Sequence, residues 1–363
     1  MRQSRRASVA NRVLIILIIA ASLFLLYYRS GPRLSQDDRA CIQDEWSANT
    51  STPSTQDFGS TYRISFVDTH QNITWKHLPN ISGTHEILMM IVSNADDFAR
   101  RNVLRSTWMK AENSRIVAEG RMKALFLVGR GSEKVDKVVM EEAKLFGDMV
   151  VTDFEDSYVG LPYKSLSMLL YAVNKSPSTQ LIGKIDHDVI FFPDQLDAML
   201  KKGLINTSSS TAYGRLYEAG VAVNRGGEGG KWLIPESSYK CSVYPSYLSG
   251  PFYLSTKKAA ERILEVTKHR KFLSVEDVLI TGLLAGDVGV ERVHLPHVYS
   301  WASSTSDKQN TEVLAWHTNK NNQQFAEAFE TLRKTRCKPC NPKDPEAPKI
   351  PKIRIARNTR LAQ

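Results

Sequence analysis

The chain predicts an α/β fold with a mostly parallel central sheet and helices on both of its faces. Three observations carry this. From residue 86 onward, apolar runs of strand length alternate with stretches of helical period. Those runs are continuously apolar rather than alternating, as strands buried on both faces should be. The chain of 363 residues is 42% hydrophobic and 24% charged, which is ordinary for a globular domain with a real core.

The elements follow in order. EILMMIVS (86–93) reads as a strand. Residues 98–109 read as a helix, with Asp96 and Asp97 as candidate caps. MKALFLVG (122–129) is a second strand, and 135–147 a helix with Gly147 at its C-cap. A strand over 148–154 and a helix over 161–176 come next. QLIGKIDHDVIFF (180–192) is read as one strand carrying Asp186, His187 and Asp188 at its end, before a helix at 194–203 stopped by Gly203. The second half is less regular: strands at 211–217 and 251–256, helices at 257–269 and 275–286. RGGEGG (225–230) is a candidate lid; it lacks the spacing of a phosphate loop.

The ends differ from this body. Residues 13–28 (VLIILIIAASLFLLYY) carry no charge and predict a single transmembrane signal-anchor. Four arginines precede the run, so the positive-inside rule makes 1–12 a cytoplasmic tail and turns the rest to the lumen. A type II Golgi membrane protein follows as the expectation. Residues 29–84 are polar and predict a lumenal stem with little packed structure. N-x-S/T sequons at Asn49, Asn72, Asn80, Asn174 and Asn206 agree with a lumenal setting. Residues 331–363 predict a basic extended tail, because Pro339, Pro342, Pro345, Pro348 and Pro351 recur at the three-residue period of polyproline II. Residues 85–330 are left as the globular body, the catalytic domain if the motifs below carry chemistry.

The net charge of +10 is confined to those ends. The four leading arginines carry +4 and residues 333–363 carry +8, leaving −2 between them. A nucleic-acid-binding body is thereby excluded. Four cysteines are too few for a disulfide-built scaffold, and the lone Cys337-x-x-Cys340 reads as a disulfide or free thiols rather than zinc.

Three groups of residues carry candidate chemistry. Asp186 and Asp188 lie two apart, so on a strand both carboxylates share a face and converge on one hard cation, Mn²⁺ or Mg²⁺. A solvated strand-end turn is the alternative. Glu276 and Asp277 open a helix, where carboxylates are favoured as caps; Asp277 is also a candidate general base. Arg101, Arg105 and Trp108 share one helical face and suit a phosphate and a base, or a surface ion pair and a core indole.

The blocks RRNVLRSTW, FLVG, FGDMVVTDFEDSYVGLPYKS, KIDHDVIF, YPSYLSGPFYLST and VEDVLITGLL resemble, in that order, the β-1,3-galactosyltransferase family over roughly 85–300. The resemblance implies a GT-A-like fold, a UDP-sugar donor (galactose or N-acetylglucosamine), Mn²⁺, and an inverting β-1,3 transfer to a glycan on a glycoprotein or glycolipid. It implies Arg101, Arg105, Trp108, Asp156, Lys164, Asp186 and Gly250 on the donor side, with Asp153 and Tyr158 in the same block as Asp156 and Lys164. It implies Asp186 and Asp188 at the metal, and Glu276 and Asp277 at the chemistry. Two departures stand out: His187 replaces a middle acidic residue, and Pro251-Phe252 stiffen and fill a loop that often faces substrate. They motivate one alternative, a catalytically silent lumenal homologue acting as partner or chaperone. His294, His297 and His317 are weaker candidates for a further metal ligand, with packing or surface roles as the plainer reading.

Overall fold

The computed structural model describes residues 34–48, 51–81, 83–226, 230–299, 313–318, 320–336 and 354–355. The anchor at 13–28, the pair Cys337 and Cys340, and the tail prolines lie outside them. Among the described residues no helix is long and apolar enough to cross a membrane.

The described residues open with helix α1 (Gln36–Asp44), then strands β1 (Thr55–Asp57), β2 (Thr61–Ser65), β3 (His70–His77) and β4 (Ile87–Ser93). Helix α2 (Phe98–Ser106), β5 (Met122–Arg130), α3 (Glu133–Phe146), β6 (Met149–Glu155), α4 (Leu161–Lys175) and β7 (Leu181–Asp186) continue the alternation. After β8 (Val189–Phe191) come α5 (Pro193–Lys201), β9 (Thr211–Tyr217), β10 (Tyr247–Thr256) and α6 (Lys257–Leu264). A π-helix (Val278–Leu284), β11 (Glu291–His294), β12 (Val298–Tyr299), β13 (Ala315–His317), α7 (Asn322–Arg336) and β14 (Arg354–Ile355) complete it.

Eleven strands form one sheet in the order β1-β2-β3-β6-β5-β4-β7-β10-β9-β11-β14. The four central strands, β6-β5-β4-β7, run parallel as expected; β3 and β10 flank them antiparallel. Side chains alternate across the sheet. Leu88, Met90, Leu125, Leu127 and Ile182 therefore pack under α4 and α6, while Ile87, Met89, Ile91, Phe126 and Ile185 pack with Trp108 and α7. That two-sided burial is why the strands read as unbroken apolar runs. Gly147 ends α3 in the left-handed conformation (φ 62°) that a Cβ would strain.

Several expectations need correction. The described part of the stem is folded: α1 is N-capped by Ser35, and β1–β3 extend the sheet, β3 pairing with β6. Its polarity misled because the buried apolar residues alternate with polar ones, Tyr62 and Ile64 on β2 and Ile73 and Trp75 on β3. A disulfide, Cys41–Cys241, joins α1 to the body across 200 residues of sequence. The run 180–192 is two strands, because the chain turns at His187 and Asp188. Residues 278–284 are a π-helix, and 331–336 belong to α7, whose Phe325, Phe329 and Leu332 are buried. Arg354–Ile355 pairs with β11 rather than standing clear of the fold.

Arg101 and Arg105 also correct the sequence reading. Both guanidiniums turn back into the fold. Arg101, fully buried, grips Glu142 of α3 through Nε and Nη2 and donates through Nη1 and Nη2 to Ser93 Oγ, Asn94 O and Ala95 O. Arg105 bridges Glu142 and Asp148 at 2.7 Å each. Trp108 is wholly buried, edge-on to Phe191 at 5.4 Å. The block fixes the turn at the end of β4, and so shapes the site without touching it.

Two outcomes follow. Removing the buried guanidinium leaves Glu142 with Arg105 alone and takes the donor from Ser93 Oγ, Asn94 O and Ala95 O, so Arg101→Leu should lower unfolding free energy by about 3–5 kcal/mol in denaturant titration. Cys41→Ser together with Cys241→Ser should cost about 2–5 kcal/mol, and reductant should lower the melting temperature of the parent but not of the double variant.

Candidate active site

A cleft of about 1220 Å³ opens at the carboxyl ends of β4, β5 and β7. Ligands of open α/β sheets bind at such ends. Asp186, His187 and Asp188 line its floor, Glu276 and Asp277 its wall, and Gly250 and Pro251 lie between them.

One buried cation organises this arrangement. Lys184, on β7, is 1% exposed. Its Nζ donates to Asp186 Oδ1 at 2.5 Å and to Gly250 O at 2.7 Å, and lies 3.8 Å from Glu276 Oε2. Burial opposes its charge, but Asp186, Glu276 and Asp277 outweigh that and hold its pKa above the usual lysine range. Glu276, equally buried, is pushed up to about 7 by burial, with Lys184 working against the shift and Asp277 adding to it. The Tyr253 hydroxyl donates to Glu276 Oε1 at 2.7 Å.

Asp277 is less enclosed than Glu276. Its Oδ2 accepts the Gly250 N–H and its Oδ1 the Val278 N–H, both at 3.0 Å. Burial raises its pKa, and those two N–H groups and Lys184 oppose the rise. The π-helix sets its direction: Thr281 Oγ1 donates to Asp277 O at 2.6 Å and accepts the Leu248 N–H at 2.8 Å. A π-turn is wider than an α-turn and is often found at functional sites. A Cβ on Gly250 would stand 3.3 Å from Asp277 Oδ2 and 3.4 Å from Glu276 Oε2, tighter than most packing allows.

On the floor, Asp188 Oδ2 lies 3.0 Å from His317 Nε2. Burial works to raise the Asp188 pKa, but His317 and His187 prevail and hold it low. Its Oδ1 is buried with no hydrogen-bond partner, an orphaned anionic oxygen of the kind a cation satisfies. Among the described residues no three of His, Cys, Asp and Glu form a metal cage. A site with two protein ligands suits a hard divalent ion that takes its remaining ligands from phosphates and water. His187 is turned to Asp97, Nε2 to Oδ2 at 3.4 Å, so the expected cap of α2 is otherwise engaged.

The other expected residues divide. Asp156, Tyr158 and Lys164 line the cleft. Lys164 is already committed, at 2.5 Å to Asp156 Oδ1 and 2.8 Å to Ser93 O, and burial lowers its pKa. It ties the ends of β4 and β6 together. Asp153 accepts the Thr74 N–H at 2.7 Å and serves the sheet. Arg101, Arg105 and Trp108 do not line the cleft. Phe252 corrects a further expectation: it is 1% exposed against Phe191, so only Pro251 reaches the cleft. Of the three histidines only His317 reaches it; His294 Nδ1 accepts the Leu216 N–H, and His297 pairs with Tyr299. Sequence reasoning passed over Lys184, although a lysine inside an apolar strand is a signal in itself, since such residues are seldom buried unpaired. It also passed over Tyr217, Trp232, Tyr244 and Tyr247, which line the far wall.

Comparison with known proteins supplies the family. Residues 99–296 match the family model described as Galactosyltransferase. Beta-1,3-galactosyltransferase bre-2 of Caenorhabditis elegans is 57% identical over 343 residues, covering 93% of this chain and 96% of that protein. Human Beta-1,3-galactosyltransferase 1 is 27% identical over 235 residues, 64% of this chain and 69% of the relative. Among solved structures, a glycosyltransferase involved in glycosylation of the major capsid of PBCV-1 overlaps 68% of this chain and 98% of its own, at 11% identity and a TM-score of 0.37. The carboxylate-lined cleft thus stands in a chain that belongs to the β-1,3-galactosyltransferase family and is a hexosyltransferase.

Proposed function

We propose that this hexosyltransferase is metal-dependent and inverting, moving galactose or N-acetylglucosamine from a UDP-sugar to a glycan hydroxyl in β-1,3 linkage. The observation that carries the reading is Asp277, aimed by two backbone N–H groups into the cleft whose floor holds Asp186 and Asp188.

Asp188, with His317 beside it, would hold Mn²⁺ or Mg²⁺, and Asp186 adds negative charge next to it. A divalent ion held there would supply positive charge to offset the negative charge of the departing diphosphate. Asp277 takes the proton from the acceptor hydroxyl while that oxygen forms its bond to the anomeric carbon. The bond from that carbon to the phosphate oxygen breaks on the opposite face, and UDP departs with the electron pair. One displacement inverts the configuration. Glu276 does not meet the substrate in this scheme; it balances Lys184 behind Asp277.

The setting is proposed as the lumen of a secretory compartment, the Golgi, with residues 13–28 as a type II anchor. Cys41–Cys241 supports it, since disulfides persist in oxidising compartments.

Asp277→Asn should cut transfer about 10²–10⁴-fold while leaving UDP binding intact, read by UDP release and by calorimetry. Asp188→Asn should abolish the Mn²⁺-dependent part of UDP binding; full retention would remove Asp188 from the metal site. The base acts only when ionised, and burial raises the Asp277 pKa. The rate should therefore fall as pH drops through a value above that of an ordinary aspartate, and a pH–rate profile of kcat/KM checks this.

A further inference from the structure

The cleft has two chemically distinct halves. The floor is ionic: Asp186, His187, Asp188 and His317. Beyond Asp277 the wall is built from Tyr217, Ala222, Asn224, Trp232, Tyr244 and Tyr247, none of them charged. The Tyr217 and Tyr247 rings stack at 5.1 Å with an interplanar angle of 16°, and Tyr244 meets Tyr247 edge-on at 6.2 Å. Trp232 is 45% exposed, although it is joined to Tyr158 by a side-chain hydrogen bond. Burial raises the Tyr158, Tyr244 and Tyr247 phenols, and Asp277 adds to each rise, while Arg225 opposes it at Tyr244; all three rings line the same cleft as the proposed base. Arg215 lies over the Tyr217 ring at 5.6 Å but does not line the cleft.

A pyranose is amphipathic, with one or both ring faces of C–H groups and a rim of hydroxyls. An aromatic wall with few polar groups buries such a face and leaves the rim to hydrogen bonds. The nearest cations are already engaged, Lys184 with Asp186 and the Gly250 carbonyl and Arg225 with the carbonyls of Ile234, Tyr239 and Cys241, so the negative charge of Asp277 repels a carboxylated sugar. We propose that Trp232 and Tyr247 form the platform for the acceptor, and that the acceptor ends in a neutral pyranose, a hexose or N-acetylhexosamine, stacked so that one hydroxyl meets Asp277. The inference rests on the transfer reaction proposed above. Trp232 and Tyr247 are thereby specificity residues for the acceptor rather than for the donor.

The test uses the full-length enzyme with UDP-galactose and UDP-N-acetylglucosamine in Mn²⁺. UDP release is measured without acceptor, then with the methyl β-glycosides of galactose, N-acetylglucosamine, N-acetylgalactosamine and mannose, and with methyl β-glucuronide. The neutral glycosides should stimulate release and the glucuronide should not. Trp232→Ala should raise KM for the best acceptor about tenfold. It should leave acceptor-free UDP release and donor KM unchanged, and Trp232→Phe, which keeps a ring, should recover most of the loss. Tyr247→Leu should act like Trp232→Ala, and Tyr247→Phe should be near neutral. Equal stimulation by the glucuronide, no stimulation by any neutral glycoside, or an unchanged acceptor KM in Trp232→Ala would each overturn the platform. Absence of UDP release with either donor under every condition would instead overturn the underlying transfer reading.

Discussion

The site depends on keeping a lysine charged where water does not reach. Lys184 sits on the central sheet with Asp186, Glu276 and the Gly250 carbonyl around it. A lone buried cation would lose its proton, and buried carboxylates without it would repel one another. Held together, they bind three elements: β7, the Gly250–Pro251 stretch of β10, and the start of the π-helix. The position of Asp277 is a consequence, because Gly250 takes its place from Lys184 and in turn donates to Asp277.

The same economy explains the segregation of charges around the cleft. Arginine and lysine residues that read as phosphate ligands are consumed inside the fold, Arg101 on Glu142 and Lys164 on Asp156. They set the ends of β4 and β6 and leave the cleft floor acidic, which suits a divalent cation better than a bare phosphate.

The parallel core was legible because strands buried on both faces leave continuous apolar runs, and because Gly147 marks a helix end whose geometry needs it. The carboxylate pairs 186/188 and 276/277 were legible as residues, but their geometry was not. The turn at His187–Asp188 replaces the assumed straight strand, and it is this turn that brings Asp188 to His317, 129 residues away in sequence. No local pattern encodes that contact. The donor-side role of Arg101 failed for a similar reason: helical spacing says which residues share a face, not whether the face looks at solvent or at Glu142. The aromatic wall was invisible because Tyr217, Trp232 and Tyr247 come from three separated segments with no periodicity.

The segment before β4 was the largest misreading, since strands with one wet face look like polar linker. Its fold changes what chain cleavage can do. The bond between Cys41 and Cys241 closes residues 41–241, from within α1 to beyond Trp232, into one covalent ring. A protease that nicks the backbone anywhere between Glu45 and Lys240 opens that ring without dividing the molecule. The residues ahead of Cys41 would part from the catalytic body only through a cut on the N-terminal side of Cys41, or through a nick joined to reduction of the disulfide.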